Sequence, residues 1–253
     1  MSKLPNEHKF VDLSDYGRPI ARIIANSLKE TSYTPIHVTI GFVISGLIAI
    51  YCILFDYLWS AAFFLILKSI LDAADGELAR LKNTPSYTGR YLDSISDIIL
   101  NFFIFLAIWY TTEVHLTYSF LAFIGIQLQG TLYNYYYVIL RNNSNGDTTS
   151  RIFEYDTPFA MKGETQENVN LLFAIYKFLY GAFDKTIYML DPNAYKSKRF
   201  PSFFMTAISI FGLGFQLLIT SMMLVLGYKD YIISFFIFYT LLIFLFIGIR
   251  KFL

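Results

Sequence analysis

Charged residues are scarce in this 253-residue chain, where Asp, Glu, Lys and Arg make up 15% against about 25% in typical soluble domains. The net charge is only +1 with His neutral, whereas nucleic-acid-binding domains carry a strongly basic surface. We therefore expect neither a water-soluble globule nor a nucleic acid partner. Cys52 is the single cysteine, so no disulfide can form within the chain.

The chain contains long apolar runs without charged residues. Four runs without Asp, Glu, Lys or Arg, at 31–55, 114–140, 200–228 and 231–249, are 25, 27, 29 and 19 residues long. Each exceeds the roughly 18 residues that a membrane-spanning helix needs. Two further segments can span only if some charge is tolerated. The sequence thus predicts an all-α integral membrane protein with six transmembrane helices, at 36–55, 57–80, 90–112, 115–140, 203–227 and 231–250.

The distribution of Lys and Arg predicts the orientation, because positive charge is retained on the cytoplasmic side of a membrane. With the N-terminus inside, the cytoplasmic segments hold 18 of the 20 Lys and Arg residues. Only Lys229 lies in an external turn, and Lys68 lies within a span. We therefore expect cytoplasmic N- and C-termini, so that any site at the same ends of the spans faces the cytoplasm.

Two segments outside the spans are also predicted to be helical. Within a tail at 1–34, Arg18 to Glu30 places its isoleucines and Leu28 on one stripe, as in a helix that lies along the membrane surface; a helix packed on protein fits equally. Residues 35–253 would form the catalytic membrane domain, with a cytoplasmic connection at 141–201. Its apolar stretch Leu171 to Leu190 contains charge, which favours an interfacial helix over a seventh span.

Four aspartates lie within the predicted second and third spans. Asp72 and Asp75 are spaced i, i+3 and share a helical face, and Asp93 and Asp97 are spaced i, i+4 and share another. Because these two spans run antiparallel, we expect the four carboxylates to converge at one depth on the cytoplasmic side. A carboxylate within a span costs about 2.5–3.5 kcal/mol, so four together require a compensating partner or cavity.

Divalent cations are the compensation that we predict. Four like charges repel one another unless cations neutralise them. Oxygen ligands suit hard ions such as Mg²⁺ or Mn²⁺ rather than Zn²⁺. Two ions held by carboxylates could stabilise the entering and leaving oxygens of a phosphoryl transfer.

The residues between the aspartates fit a phosphate-bearing ligand. Gly76 and Ala79 lie on the carboxylate-bearing side of their helix and leave room for a ligand to approach the backbone. Arg80 offers a planar fork of donors for phosphate, although it could also be a flanking cytoplasmic charge. Gly89 permits a tight turn or close helix packing, and Ser86 could add a hydroxyl.

The complete pattern resembles the signature of the CDP-alcohol phosphotransferase (CDP-alcohol phosphatidyltransferase) family, D-x2-D-G-x2-A-R-x8-G-x3-D-x3-D. The chain matches all eight specified positions without a change in spacing, at Asp72, Asp75, Gly76, Ala79, Arg80, Gly89, Asp93 and Asp97. Members often begin the first span with Pro-Asn-x-x-Thr. Here Pro35 and Thr39 are present, but Ile36 replaces the Asn.

The resemblance implies an enzyme of phospholipid biosynthesis that moves a phosphoalcohol, most simply phosphatidyl from CDP-diacylglycerol, to an acceptor hydroxyl and releases CMP. It implies two Mg²⁺ or Mn²⁺ ions, with Asp72 and Asp93 bridging them, Asp75 on one ion and Asp97 on the other. Asp97 would also act as the general base. Gly76, Ala79, Arg80, Ser86 and Gly89 would bind the CDP moiety, and the chain would form a homodimer.

Two other functions remain open at this point. The same signature occurs in enzymes that transfer a polar head group from CDP-choline or CDP-ethanolamine to a lipid acceptor. An ion-coupled transporter could also use intramembrane aspartates. It fits less well, because the outer halves of the predicted spans are almost purely apolar and no inverted repeat is visible.

Overall fold

A computed structural model describes residues 4–144, 150–197 and 200–253. The described part is 77% helix and contains no strand. This agrees with the all-α prediction. Ten α-helices occur in these ranges: α1 Arg18–Leu28, α2 Pro35–Leu54, α3 Leu58–Lys82, α4 Tyr87–Tyr110, α5 Leu116–Asn143, α6 Gln166–Leu190, α7 Ser202–Ile208, α8 Leu213–Val225, α9 Ile232–Thr240 and α10 Leu242–Phe252.

Three helical segments of the described chain are long and apolar enough to cross a membrane: Pro35–Leu54, Tyr87–Tyr110 and Lys229–Phe252. A fourth candidate is the pair Ser202–Phe211 and Leu213–Val225, which is bent by 52°. The bend falls at Gly212, whose extended backbone separates the two helical stretches. Helices α3 and α5 fill the other two predicted positions without meeting these criteria. The structure therefore supports three or four spans, and six remain a prediction.

Polar residues that face the interior explain why α3 does not qualify. Lys68, Asp72 and Asp75 interrupt its apolar sequence, yet the helix runs unbroken for 25 residues. It packs mainly against α1, α2 and α8, whereas α4 packs against α2, α5 and α6. Helix α2 thus contacts both α3 and α4, and it holds together the two helices that carry the aspartates.

Helix α1 is the amphipathic helix that the sequence predicts. Pro19 lies in its first turn, where a missing N–H costs nothing. Ala21 and Ala25 are fully buried and pack with residues of α3. Ile20 and Ile23 are 50% and 70% exposed. One face of α1 therefore packs on protein, and these two isoleucines remain available to a membrane surface.

Helix α6 occupies the centre of the 141–201 connection and extends the predicted segment by five residues at its N-terminal end. It is not among the candidate spans, and it packs against α4 and α5. Thr165 caps the helix by accepting a hydrogen bond from the Asn168 amide. The connection thus brings a long helix alongside the helices of the signature.

Two ion pairs join segments that lie at the ends of different helices. Lys229 Nζ lies 2.5 Å from Asp56 Oδ1, which joins the turn after α2 to the turn before α9. Arg250 pairs with the buried Asp191, and Tyr136 donates to the same carboxylate at 2.7 Å. The C-terminal helix and the end of the connection therefore lie together.

Candidate active site

A polar cavity of about 380 Å³ lies between α3, α4, α5, α6 and α8. All four signature aspartates line it. The segment before α1 also reaches it through Asp12, Ser14 and Asp15. The cavity is large enough to enclose the polar part of a ligand, since ligand sites commonly measure about 300–1,000 Å³.

Three of the four aspartates form a compact group. Asp72 and Asp75 project from successive turns of α3, and Asp93 faces them from α4. Each can offer a carboxylate oxygen within 4.8 Å of the others. Asp93 Oδ1 is buried and has no hydrogen-bond partner. An unsatisfied buried acceptor among three carboxylates fits a divalent cation held by oxygen ligands.

Thr39 of α2 supports this group. Its hydroxyl donates a hydrogen bond of 2.6 Å to Asp75 Oδ2, and both side chains are buried. The hydroxyl fixes one oxygen of Asp75 and leaves the other free to face the cavity. The sequence does not predict this contact, although Thr39 is one of the two residues of the family's first-span element that this chain retains.

Asp97 is held differently from the other three aspartates. Its Oδ1 accepts a hydrogen bond of 2.5 Å from Lys68 Nζ. Lys68 is fully buried, one turn before Asp72 on α3, and its ammonium lies 5.1 Å from the centre of the Phe42 ring. A buried charge needs such a partner. Sequence reasoning missed this role, and the only signal was a lysine inside an apolar helix.

Two of the residues predicted to bind the CDP moiety line the cavity. Gly76 and Arg80 lie one turn apart on α3, and a Cβ at Gly76 would sit 3.5 Å from Arg80 Nη1. Arg80 Nη2 donates to Glu77 at 2.7 Å, while Arg80 Nε is buried without a partner. Glu77 thus holds Arg80 through Nη2, and the Nε–H of Arg80 remains available to donate to a ligand.

The other three predicted residues do not line the cavity. Ala79 lies in the last turn of α3, where its carbonyl accepts a hydrogen bond from the Thr84 amide. Ser86 is the N-cap of α4 and accepts from the Gly89 amide at 2.8 Å. The Ser86 hydroxyl donates to Glu164 at 2.8 Å. These residues form the turn between the two aspartate-bearing helices.

Further cavity residues come from parts of the chain outside the signature. Tyr176, Tyr180 and Asp184 of α6 line it. At the opposite side, Ser14 lies against Gly214 of α8 so closely that a Cβ at this glycine would overlap the Ser14 carbonyl. No periodicity in the sequence connects these segments to the aspartates, so their contribution was not predicted.

Parts of this chain are similar in sequence to known proteins. A CDP-diacylglycerol–serine O-phosphatidyltransferase of Bacillus subtilis (strain 168) is 41% identical over 68 residues, which cover 27% of this chain and 38% of that protein. The chain thus matches well under half of this relative's length. No solved structure matches the chain significantly. The family model described as CDP-alcohol phosphatidyltransferase matches residues 33–161, just over half of the chain. The apolar helices, the aspartate group and this match together establish that the chain is a member of the CDP-alcohol phosphatidyltransferase family of membrane transferases.

Proposed function

We propose that this protein transfers the phosphatidyl group of CDP-diacylglycerol to the hydroxyl of an acceptor and releases CMP, as a step of phospholipid biosynthesis. The observation that carries the proposal is the group formed by Asp72, Asp75 and Asp93 at one wall of a polar cavity. Family membership supplies the reaction class. The name of the Bacillus subtilis relative supplies the donor and makes serine the first acceptor to test.

Asp72, Asp75 and Asp93 would hold the metal, with the second ion that the family resemblance implies shared with Asp97. When bound, a divalent cation neutralises phosphate oxygens and stabilises charge on the entering and leaving oxygens. The protein's own contribution is to fix the ligands. Thr39 orients Asp75, and the position of Asp93 follows from the packing of α4.

Asp97 is the general base in this proposal. The acceptor oxygen forms a bond to the phosphatidyl phosphorus, the bond from that phosphorus to the CMP oxygen breaks, and the acceptor's proton passes to Asp97. The Lys68 ammonium holds Asp97 Oδ1, which favours the ionised carboxylate and leaves Oδ2 to accept the proton. CMP needs no proton because its phosphate remains an anion.

Arg80 would bind the nucleotide end of the donor, next to the open surface at Gly76. Ala79 and Gly89 would contribute by shaping the turn that positions Arg80 and Asp93. Ser86 can meet the donor only if Glu164 releases its hydroxyl. Ser86 would therefore bind the CDP moiety only after this hydrogen bond breaks, whereas Arg80 already lines the cavity.

The membrane arrangement that we propose has six spans and cytoplasmic termini, with the cavity open to the cytoplasm. Residues 1–34 form the tail and surface helix, and 35–253 form the catalytic domain. Two ion pairs support this arrangement. The Asp56–Lys229 pair joins two turns that are both predicted to be external. The Arg250–Asp191 pair joins two segments that are both predicted to be cytoplasmic. We also propose that the protein forms a homodimer, because the family resemblance implies one.

A donor comparison tests the proposed function. Purified full-length protein with Mn²⁺ or Mg²⁺ is given radiolabelled CDP-diacylglycerol, CDP-choline or CDP-ethanolamine, each with suitable acceptors, and CMP and lipid products are measured. We expect CMP only from CDP-diacylglycerol. CMP from CDP-choline or CDP-ethanolamine with a diacylglycerol acceptor would establish the alternative donor class. Ion flux without CMP release from any donor would favour a transporter.

A further inference from the structure

Helix α6 presents a stripe of three side chains to the cavity. Tyr176, Tyr180 and Asp184 are spaced four residues apart, so they lie on one helical face, and all three line the cavity. They fall outside residues 33–161, the part that the family model matches. This stripe is therefore a feature of the present chain that the signature does not account for.

Asp184 is a carboxyl group without a counter-ion of its own. In the described part of the chain it makes neither a hydrogen bond nor an ion pair. Burial, and to a smaller extent the Glu154 carboxylate, raise the pKa of Asp184 to about 7, although the Arg90 guanidinium lowers it. Arg90 and Glu154 already bind each other at 2.5 Å, so their effects on Asp184 largely cancel. Asp184 is only partly buried, and its carboxylate is stabilised by any cation that enters the cavity.

The two tyrosines connect Asp184 to the aspartate group. The Tyr180 hydroxyl donates a 2.8 Å hydrogen bond to the carbonyl of Ser94, the residue next to Asp93. The rings of Tyr176 and Tyr180 stack with their centres 4.9 Å apart. Tyrosine faces attract ammonium groups, especially where water is excluded. A small cationic molecule at this stripe would thus lie close to the metal-binding carboxylates.

We propose that Asp184, together with Tyr180, binds the ammonium group of the acceptor, so that the acceptor class is amino alcohols such as serine rather than anionic acceptors such as glycerol phosphate. The inference rests on the proposed function, because it gives the α6 stripe a role in the same transfer. Arg141 of α5 lines the same cavity. A zwitterionic acceptor therefore meets an acidic and a basic side chain there.

The test compares two acceptors that differ only in the ammonium group. Serine and 3-hydroxypropionate, which is serine without its amino group, are titrated against CDP-diacylglycerol and Mn²⁺ with the wild-type chain and the variant Asp184→Asn. We expect wild-type protein to prefer serine through KM. Asp184→Asn should raise the KM for serine about 10- to 100-fold, as expected for a charge-assisted contact, and leave the KM for 3-hydroxypropionate nearly unchanged.

Matched measurements separate this role from a structural one. Glu167→Gln removes a carboxylate from the exposed first turn of the same helix, outside the cavity, and should leave all constants unchanged. In Asp184→Asn the KM for CDP-diacylglycerol and kcat at saturating serine should also be retained. If Asp184→Asn loses kcat, or if the KM for both acceptors rises equally, Asp184 does not recognise the ammonium group and the inference is wrong.

The outcomes also distinguish this inference from the proposed function. If CDP-diacylglycerol yields CMP with glycerol 3-phosphate but not with serine, the proposed function stands and the inference fails. If CDP-diacylglycerol yields no CMP with any acceptor, the proposed function itself fails.

Discussion

Lys68 is fully buried and Asp97 is partly buried, and these opposite charges lie one helical turn away from the three-carboxylate group. Their contact, at 2.5 Å, gives one of the four signature aspartates a cation from the protein itself. The four carboxylates therefore do not form one uniform cluster. In the proposed function, Asp72, Asp75 and Asp93 would share an ion, and Asp97 would take the proton of the acceptor.

Replacing Lys68 by Met should strongly destabilise the protein. Removing one partner of a buried ion pair typically costs about 3–5 kcal/mol, because the other charge remains buried without compensation. We expect thermal unfolding in detergent with chelator to shift to lower temperature. The double variant Lys68→Met/Asp97→Asn should unfold at a higher temperature than Lys68→Met alone. Unfolding of Lys68→Met at the wild-type temperature would contradict this account.

Thr39 gives a second residue-level prediction. Thr39→Val keeps the shape of the side chain but removes the hydrogen bond to Asp75. Groups that orient metal ligands commonly affect metal affinity by 10- to 100-fold. We expect the Mn²⁺ concentration for half-maximal activity to rise by about that factor, with Thr39→Ser close to wild type. An unchanged Mn²⁺ requirement in Thr39→Val would show that Asp75 needs no such support.

At the scale of elements, the start of α4 depends on a side chain from the 141–201 connection. Glu164 accepts hydrogen bonds from the Ser86 hydroxyl and from the amides of Tyr87 and Thr88. Negative charge is favourable at a helix N-terminus. The connection is thus attached to the helix that carries Asp93, and the attachment depends on the charge of Glu164.

This attachment should weaken in acid. Burial raises the pKa of Glu164, but hydrogen bonds from Thr88, Met161 and Ser86 outweigh it and leave the pKa below its usual value of 4.5. Because this pKa is lowered in the folded state, the stability that the Glu164 carboxylate contributes is complete above pH 4.5. That stability is lost as the pH falls through the folded-state pKa. The backbone amides of residues 150–165 should therefore lose protection from hydrogen exchange in acid. This loss should be larger in the wild-type protein than in Glu164→Gln. Equal pH dependence in both proteins would refute the prediction.

The sequence predicts elements of this molecule better than contacts between them. Apolar runs locate α2 and α5 because the apolar character of a helix depends on local composition. The i, i+3 spacing of Asp72 and Asp75 likewise follows from helix geometry alone. The Thr39–Asp75 and Lys68–Asp97 contacts join residues on different helices, and Asp184 reaches the cavity through the packing of α6. Such positions depend on helix rotation and crossing, which no single periodicity encodes.

For the whole molecule, the proposed topology places the turn between α3 and α4 in the cytoplasm. A cysteine in this turn should be inaccessible to a membrane-impermeant reagent applied outside intact cells. Thr84→Cys suits the test because Thr84 is exposed, whereas Asn83 has a left-handed backbone, with φ of 53°. Glu113→Cys, in a predicted external turn, should be labelled. Labelling of Thr84→Cys but not Glu113→Cys from outside would invert the topology.

If Asp72, Asp75 and Asp93 hold a divalent cation for phosphatidyl transfer, the reaction should need both the metal and these carboxylates. The most direct measurement is CMP release from CDP-diacylglycerol and serine by wild-type protein and Asp93→Asn, each with Mn²⁺ and with excess chelator. We expect activity only in the wild type with metal, its return when Mn²⁺ is restored, and at least a ~10²-fold loss in Asp93→Asn, with helix content retained by circular dichroism. Full activity in excess chelator, or in Asp93→Asn, would show that the carboxylates and their metal are not needed for the transfer.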